Sequence, residues 1–389
     1  MSARLDAQFA FLLEADKLRQ VERQNLILDC SRAENSAEHS WHLALYALAL
    51  APHAAPEVEI GRVIRMLLLH DLVEIDAGDH PIDSASDWQA VAAAEQAAAD
   101  RLFGLLPPDQ GDEMLRLWHE FEASETPDAQ FAKRLDHCQP VFQTLCGRAP
   151  LPGHIGIVRR NLEGGRAAAL EQALPHAYAQ AMTLLNGTGK APCAEFARRM
   201  EFLNESDQLK GVLRASKLGG GTRHENSAEH SWHVMMHAWV LAEHAAMPID
   251  LDEVLRMLLL HDLVEIDAGD APIHSVTDPA VLAALAEREE AAAARLFGLL
   301  PKDEGVPLRA LWQRFEAAVC PEARFAKSID RVQPVLLNLM NGGGSWVDYE
   351  VTLAQLDTRV GAKVARGAPA LWDHVRAQVE PWFAQRGGA

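Results

Sequence analysis

Cysteine is scarce in this sequence of 389 residues, and no two cysteines form a CxxC pair. The five are Cys30, Cys138, Cys146, Cys193 and Cys320. An odd number at scattered positions argues against a disulfide framework and against a zinc site built from cysteine. The cysteine pattern therefore favours a reducing compartment, and we expect a cytoplasmic protein.

Long apolar runs are also missing. No stretch approaches the roughly 20 apolar residues that a membrane-spanning helix needs. The first residues, MSARLDAQFAFLLEADK, are charged and helical in pattern, whereas a secretory signal is basic and then apolar. We therefore expect a soluble chain that neither enters a membrane nor is exported.

Basic residues are in deficit, with 36 Lys and Arg against 55 Asp and Glu, which gives a formal charge of -19. A field of this sign repels nucleic acid and anionic lipid, so neither is an expected partner. A small phosphorylated substrate remains compatible with this charge, because a bound cation and one or two arginines can reverse the potential inside a pocket.

The most informative feature of the sequence is an internal repeat. RAENSAEHSWH at 32–42 returns as RHENSAEHSWH at 223–233, and RMLLLHDLVEIDAGD at 65–79 returns at 256–270, both at an offset of 191. A later motif, FAKRLDHCQPV at 131–141, returns as FAKSIDRVQPV at 325–335, at an offset of 194. Repeats of this length indicate duplicated domains, not solenoid units.

Each half has the apolar spacing of helices and lacks alternating β-branched runs, so the sequence predicts an all-α protein of two tandem helical bundles. The Gly- and Pro-containing stretch NGTGKAPCA at 186–194 separates the bundles. We place one domain at residues 1–188 and the other at residues 189–389, and expect them to pack as an intramolecular pseudo-dimer.

Two histidines and two aspartates recur in both halves, in the same order. They are His39, His70, Asp71 and Asp136, repeated as His230, His261, Asp262 and Asp330. An ordinary His-Asp dipeptide and a solvated Asp136 would be the simpler explanation. However, the apolar run MLLL before His70 predicts burial, where an uncompensated aspartate is costly. We therefore favour a divalent-metal site that leaves positions for water and substrate.

The order H…HD…D, together with the sequence motifs ENSAEHSW and HDLVEIDAGD, resembles the HD superfamily of metal-dependent phosphohydrolases, in particular its 5′-deoxynucleotidase branch. The resemblance covers nearly the whole chain, because each half separately contains all of these motifs. It implies an HD-domain helical fold and hydrolysis of nucleoside 5′-monophosphates. It also implies one divalent ion per domain (Mn, Co, Fe, Ni, Zn or Mg), held in each domain by four of the eight residues above.

The resemblance also implies roles for further residues. Glu74 and Glu265 match the catalytic carboxylate of the family, and Asp79 and Asp270 match its second active-site acid. Arg23 and Arg214 match its substrate-side arginine, if one residue is inserted before the Arg-x-Glu-Asn motif. The tryptophan that follows this arginine in the family, and that is associated with deoxyribose preference, is replaced by Gln24 and Ala215, so selectivity for deoxyribose is in doubt.

Several alternatives stay open at this point. Arg32, Glu34 and Asn35 either support the first metal histidine or cap its helix. Trp41 and Trp232 are interpreted as packing residues, not as base-stacking platforms. A phosphodiesterase or alarmone hydrolase of the same superfamily and a non-catalytic nucleotide-binding protein are the rival functions.

Overall fold

The computed structural model describes residues 2–80, 87–187, 191–271 and 278–387. Helices dominate these residues, which confirms the predicted all-α class. The first half contains α1 (Ser2–Ala15), β1 (Glu22–Leu26), β2 (Ala33–Asn35), α2 (Ser36–Ala49), α3 (Ile60–Leu69), α4 (Glu74–Ala77), α5 (Trp88–Phe103), α6 (Pro108–Ala123), α7 (Pro127–Leu145), α8 (Pro152–Gly164), α9 (Leu170–Ala173) and α10 (Pro175–Asn186).

The second half repeats this order up to its last motif. It contains α11 (Ala194–Ser206), β3 (Leu213–Lys217), β4 (His224–Asn226), α12 (Ser227–Val240), α13 (Leu251–Leu260), α14 (Glu265–Ala268), α15 (Pro279–Phe297), α16 (Lys302–Ala317), α17 (Pro321–Met340), α18 (Ser345–Asp348), α19 (Leu353–Leu356), α20 (Ala362–Gly367) and α21 (Pro369–Gly387). Across the described ranges, every helix is too short or too polar to cross a bilayer.

A short antiparallel hairpin, which the sequence did not predict, precedes the first metal-motif helix in each half. Strand β1 pairs with β2, and β3 pairs with β4. Glu22 lies opposite Asn35 and Leu26 opposite Ala33, with an irregular register between the two pairs. The strand residues ERQNL do not alternate between apolar and polar, so periodicity gives no strand signal here.

The helix that follows the hairpin is fixed at its start by a capping box. Asn35 accepts a hydrogen bond from the Glu38 backbone at 2.9 Å, and Glu38 accepts one from the Asn35 backbone at 2.9 Å. Arg32 donates to both oxygens of the Glu38 carboxylate. These contacts favour the helix-cap interpretation of the Arg-x-Glu-Asn motif.

Helix α2 is buried on nearly every side and therefore lies at the centre of its bundle. It contacts α3 and α7, which also contact each other. The predicted metal ligands lie on α2 and α7 and directly after the end of α3. Trp41 and Trp232 are fully buried, which confirms that they pack in the core.

The HD motif lies at a tight turn, not within one continuous helix. Helix α3 ends at Leu69 and α4 begins at Glu74, and between them the backbone N–H of Glu74 donates to the Asp71 carbonyl, three residues earlier. Gly78 ends the short helix, with a positive φ of 79° that suits glycine.

The chain forms two compact units that are not the two sequence halves. Unit I comprises Lys17–Gln208 and Leu299–Lys302, whereas unit II comprises Met1–Asp16, Leu209–Gly298 and Asp303–Ala389. Helix α1 therefore belongs with second-half residues and α11 with first-half residues. The predicted junction at residues 188 and 189 lies outside the described residues, and the domain boundary there stays a prediction.

Candidate metal centre in each unit

The predicted ligands of unit I converge where three helices meet. His39 lies on the first turn of α2, His70 and Asp71 directly follow α3, and Asp136 lies on α7. One donor atom each from His39, His70 and Asp136 lies within 4.8 Å of the other two. The Nε2 atoms of His39 and His70 lie 3.2 and 3.9 Å from Asp136 Oδ1, and Asp71 Oδ1 lies 3.0 Å from His70 Nε2. Two imidazole nitrogens and the Asp136 carboxylate are therefore close enough to share one ion, and the Asp71 carboxylate lies beside His70.

Unit II repeats this arrangement. His230, His261 and Asp330 form the equivalent group within 4.8 Å. Asp330 Oδ1 lies 3.2 Å from His230 Nε2 and 3.7 Å from His261 Nε2, and Asp262 Oδ1 lies 3.1 Å from His261 Nε2. The duplicated ligand order in the sequence thus corresponds to two clusters of similar geometry.

The hydrogen bonding of His70 leaves a lone pair for a cation. Its Nδ1 donates to the Leu67 carbonyl at 2.9 Å, so Nε2 is the nitrogen that carries the lone pair when the ring is neutral. That Nε2 is buried and has no hydrogen-bond partner among the described residues, and the same is true of His261 Nε2. A buried lone pair without a donor beside two carboxylates fits a divalent cation.

The charges around His39 indicate a strongly negative site. Burial and the nearby Arg23 lower the pKa of His39, but hydrogen bonds to Asp136 and Glu34 outweigh them and raise it to about 9. Burial opposes ionisation of Asp136, whereas His39 and His70 hold its pKa well below the usual range. The pKa of His230 in unit II is likewise raised to about 9. The carboxylates of each cluster therefore stabilise a positive charge placed among them, such as a protonated imidazole or a bound cation.

Strand β1 places Arg23 against the predicted acids. Its Nη1 lies 2.7 Å from Asp71 Oδ2, 3.7 Å from Glu74 Oε1 and 3.8 Å from Asp79 Oδ1. Burial alone would lower the pKa of Arg23, but these carboxylates raise it, so the guanidinium stays charged. In unit II, Arg214 lies 2.6, 3.5 and 3.8 Å from the corresponding acids, Asp262, Glu265 and Asp270.

Glu74 is held at the edge of the cluster by a serine that sequence reasoning missed. Ser36 Oγ donates to Glu74 Oε2 at 2.5 Å, and Ser227 donates to Glu265 at 2.5 Å. Burial and the negative charge of Asp71 raise the pKa of Glu74 well above its usual range. The two serines occupy the same place in the repeated ENSAEHSW motif, and this was the available signal.

The second predicted acid of each copy lies beside the arginine. Burial raises the pKa of Asp79, and the charge of Arg23 opposes that shift without cancelling it. The pKa of Asp270 is raised in the same way, with Arg214 opposing. The structure thus brings every predicted site residue of each copy into one cluster.

The cavities at the two centres share their inner residues and differ further out. Arg23 and Asp79 line the unit I cavity together with His137, His154 and Arg166. The unit II cavity is lined by Arg214 and Asp270 and also, from a segment that does not repeat in sequence, by Trp346 and Tyr349. Gln24 and Ala215, the residues that directly follow the two arginines, line the cavities.

Comparison with known families and relatives gives consistent results. The family model described as "HD domain" matches residues 15–177 and again 206–372. The chain is 28% identical to 5′-deoxynucleotidase HDDC2 of Homo sapiens over 135 residues, which are 34% of this chain and 64% of that protein. The same protein of Xenopus laevis is 30% identical over 137 residues, 35% of this chain and 66% of the relative. The chain thus spans slightly less than two thirds of these relatives.

A solved structure is also similar in sequence. It is the crystal structure of a predicted metal-dependent phosphohydrolase from Magnetospirillum magnetotacticum MS-1. The two are 43% identical, the match covers 51% of this chain and 97% of that one, and the TM-score is 0.47.

Proposed function

Because the chain belongs to the HD domain family, one domain match in each half, we propose that both units are metal-dependent phosphomonoesterases acting on nucleoside 5′-monophosphates. The observation that carries the proposal is the buried, unpartnered Nε2 of His70, which faces Asp136 and Asp71 beside the charged Arg23. The similarity to proteins named 5′-deoxynucleotidase supports the choice of substrate class.

The proposed cation ligands in unit I are His39, His70, Asp71 and Asp136. Their counterparts in unit II are His230, His261, Asp262 and Asp330. A bound divalent cation would polarise a phosphoryl oxygen and lower the pKa of water at the site. The protein supplies the ligand geometry, and the Leu67 carbonyl holds a proton on His70 Nδ1, which turns Nε2 towards the proposed cation.

Arg23 and Arg214 are proposed to hold the substrate phosphate. A guanidinium can donate to two phosphate oxygens at once, and burial beside the cluster keeps this charge within reach of the reacting group. Binding of phosphate would require Arg23 to exchange part of its contact with Asp71 for the ligand. The arginine is therefore also a means of neutralising the acids before substrate arrives.

Glu74 and Glu265 are proposed to accept the proton of the attacking water. A raised pKa places such a carboxyl closer to neutral pH, where it exchanges protons effectively. The serine hydroxyl that donates to each glutamate fixes the orientation of its carboxyl group. Asp79 and Asp270 are proposed to contact the sugar hydroxyl or to relay the proton.

The proposal can be tested with phosphate release from a panel of ribo- and deoxyribonucleoside 5′-monophosphates. Metal-stripped protein would be resupplied with Mn²⁺, Co²⁺ or Mg²⁺ and compared with His70→Ala, His261→Ala and the double variant. We expect release that requires metal, persists in each single variant and disappears in the double variant.

Two other outcomes have clear meanings. No release from any monophosphate would overturn the nucleotidase proposal. In that case, hydrolysis of a phosphodiester or an alarmone by the same protein would favour the rival superfamily activities. With Gln24 and Ala215 in place of tryptophan, we expect ribo- and deoxyribonucleotides to be hydrolysed at comparable rates.

A further inference from the structure

A chain of buried amides leads away from the His39 ring in unit I. His39 Nδ1 lies 3.1 Å from Gln139 Oε1, Gln139 Nε2 donates to Gln143 Oε1 at 3.1 Å, and Gln143 Nε2 donates to Asp207 Oδ1 at 2.9 Å. None of these four side chains is more than 3% exposed. Asp207 directly follows α11, so the chain of hydrogen bonds ends on a segment from the second half of the sequence.

The direction of these hydrogen bonds is fixed from the Asp207 end. Asp207 Oδ2 accepts the Leu28 backbone N–H at 2.8 Å, which anchors the carboxylate. The Gln143 amide nitrogen donates both to Asp207 and to the Leu26 carbonyl, so its Oε1 must face Gln139.

The same reasoning continues to the ring of His39. Because the Gln139 amide nitrogen donates to Gln143 and to Glu34, its Oε1 faces His39. Nδ1 of His39 must then carry a proton, so in a neutral ring the lone pair of Nε2 points towards Asp136 and the proposed cation site.

Unit II lacks one link of this chain. The position of Gln143 is occupied by Leu337, which has no amide and is buried. Gln333, the equivalent of Gln139, donates to Glu225 at 3.1 Å, and its Oε1 has no hydrogen-bond partner among the described residues. His230 Nδ1 instead lies 3.3 Å from Glu225 Oε1. In unit I the corresponding carboxylate, Glu34 Oε2, lies 3.6 Å from His39 Nδ1, farther than the 3.1 Å between that nitrogen and Gln139 Oε1.

We propose that Gln143 and Asp207 are positioning residues of the unit I centre, which fix the His39 tautomer through Gln139, and that the unit II centre does not use such a relay. The inference rests on the proposed function, because it assumes that His39 binds a cation. Partners behind a metal-binding histidine typically change metal affinity by 10–100-fold. The two centres therefore differ in which residues set their metal affinity.

The test is a calorimetric Mn²⁺ titration of full-length protein in a His261→Ala background, which leaves the unit I centre as the site measured. Gln143→Leu installs the residue that the repeat tolerates at this position. Asp207→Asn leaves one acceptor oxygen for two donors, so either Leu28 or Gln143 loses its partner. We expect each variant to bind Mn²⁺ about 10-fold more weakly than the background protein.

The matched control is Asp16→Asn in a His70→Ala background, which reports on the unit II centre. Asp16 Oδ2 accepts the Gly219 backbone N–H at 3.0 Å, as Asp207 accepts that of Leu28. Because Leu337 cannot pass a hydrogen bond on to Gln333, we expect this substitution to leave Mn²⁺ affinity unchanged within about 2-fold. An equal loss in both units would overturn the proposal, since it would indicate a general structural effect.

Two further measurements separate positioning from folding. Thermal unfolding with EDTA reports any loss of stability that is independent of metal, and excess Mn²⁺ should restore phosphate release by Gln143→Leu. Unchanged Mn²⁺ affinity with a lowered melting temperature would overturn the relay and leave the proposed function intact. No Mn²⁺ binding by the His261→Ala background itself would overturn the proposed metal centre, and the relay with it.

Discussion

At the scale of single residues, Asp71 and Glu74 respond in opposite directions to similar buried surroundings. Burial opposes ionisation of both. The interactions with His70 and Arg23 outweigh burial at Asp71 and lower its pKa, whereas at Glu74 the charge of Asp71 adds to burial and raises the pKa. One carboxylate thus stays ionised as a proposed ligand while the other is suited to proton transfer.

This difference predicts a pH-dependent gain of stability in the double variant Glu74→Gln with Glu265→Gln. A carboxyl whose folded-state pKa exceeds the unfolded value binds its proton more tightly when folded, so ionisation at rising pH destabilises the native state. Glutamine cannot ionise. With EDTA present at pH 8, urea unfolding should give the variant a free energy of unfolding that is higher than that of the unsubstituted protein by roughly 0.5–2 kcal/mol. This is the usual size of a stabilising substitution.

The same variant should lose phosphate release by about 100-fold or more, as expected for loss of a general base. At pH 4, below the usual glutamate pKa, its stability advantage over the unsubstituted protein should vanish. Glu57→Gln, at an exposed position, serves as the control. Equal urea curves for variant and unsubstituted protein at both pH values would contradict the proposed role of burial at Glu74.

At the scale of elements, the hairpin and the helix cap together position the first metal-motif histidine. Strand β2 ends at Asn35, which caps α2, and His39 lies on the first turn of that helix. Strand β1 carries Arg23 on the partner strand. A contact that fixes the start of α2 therefore also fixes the distance between the proposed phosphate ligand and the proposed metal ligand.

We expect Asn35→Ala to lower the free energy of unfolding by about 1 kcal/mol, the typical value of an N-cap side chain, and to weaken Mn²⁺ binding in unit I. Asp87→Ala is the matched control, because Asp87 caps α5, which carries none of the proposed ligands. Urea unfolding and Mn²⁺ titration of both variants are the measurements. If the two variants changed Mn²⁺ affinity equally, the cap would have no specific link to the site.

At the scale of the whole molecule, each compact unit combines segments from both halves of the sequence. Helix α11 supplies the buried Phe196, Phe202 and Leu203 to unit I. The Leu203 carbonyl also lies 3.0 Å from His42 Nε2. A chain cut at residue 188 would therefore remove both core packing and a hydrogen-bond acceptor from unit I.

This composition predicts that a fragment of residues 17–208 is more stable than a fragment of residues 1–188. The former keeps α11 and Asp207 and lacks only the four unit I residues Leu299–Lys302. The latter keeps α1, which belongs to unit II, and exposes apolar surface that α11 covers. Circular dichroism melting curves and Mn²⁺ titration would compare them, and equal stability would show that α11 contributes little to unit I.

The sequence by itself determined the duplication, the helical class and the identities of the clustered side chains. Identical residue types at constant offsets, such as His39 with His230, are informative without structure, because a repeat preserves both order and spacing. Local signals also offered the helix cap as one of two interpretations of the Arg-x-Glu-Asn motif, since caps depend on neighbours within a few residues.

Only the tertiary structure decided the remaining features. The hairpin that positions Arg23, the contact of Ser36 with Glu74, the amide chain from His39 to Asp207 and the assignment of α1 and α11 to units all depend on residues distant in sequence. Short polar strands and buried amides have no periodic signature, because their stability comes from partners that the fold brings together. The sequence therefore specifies which groups meet, and the packing of the helices specifies how they are oriented.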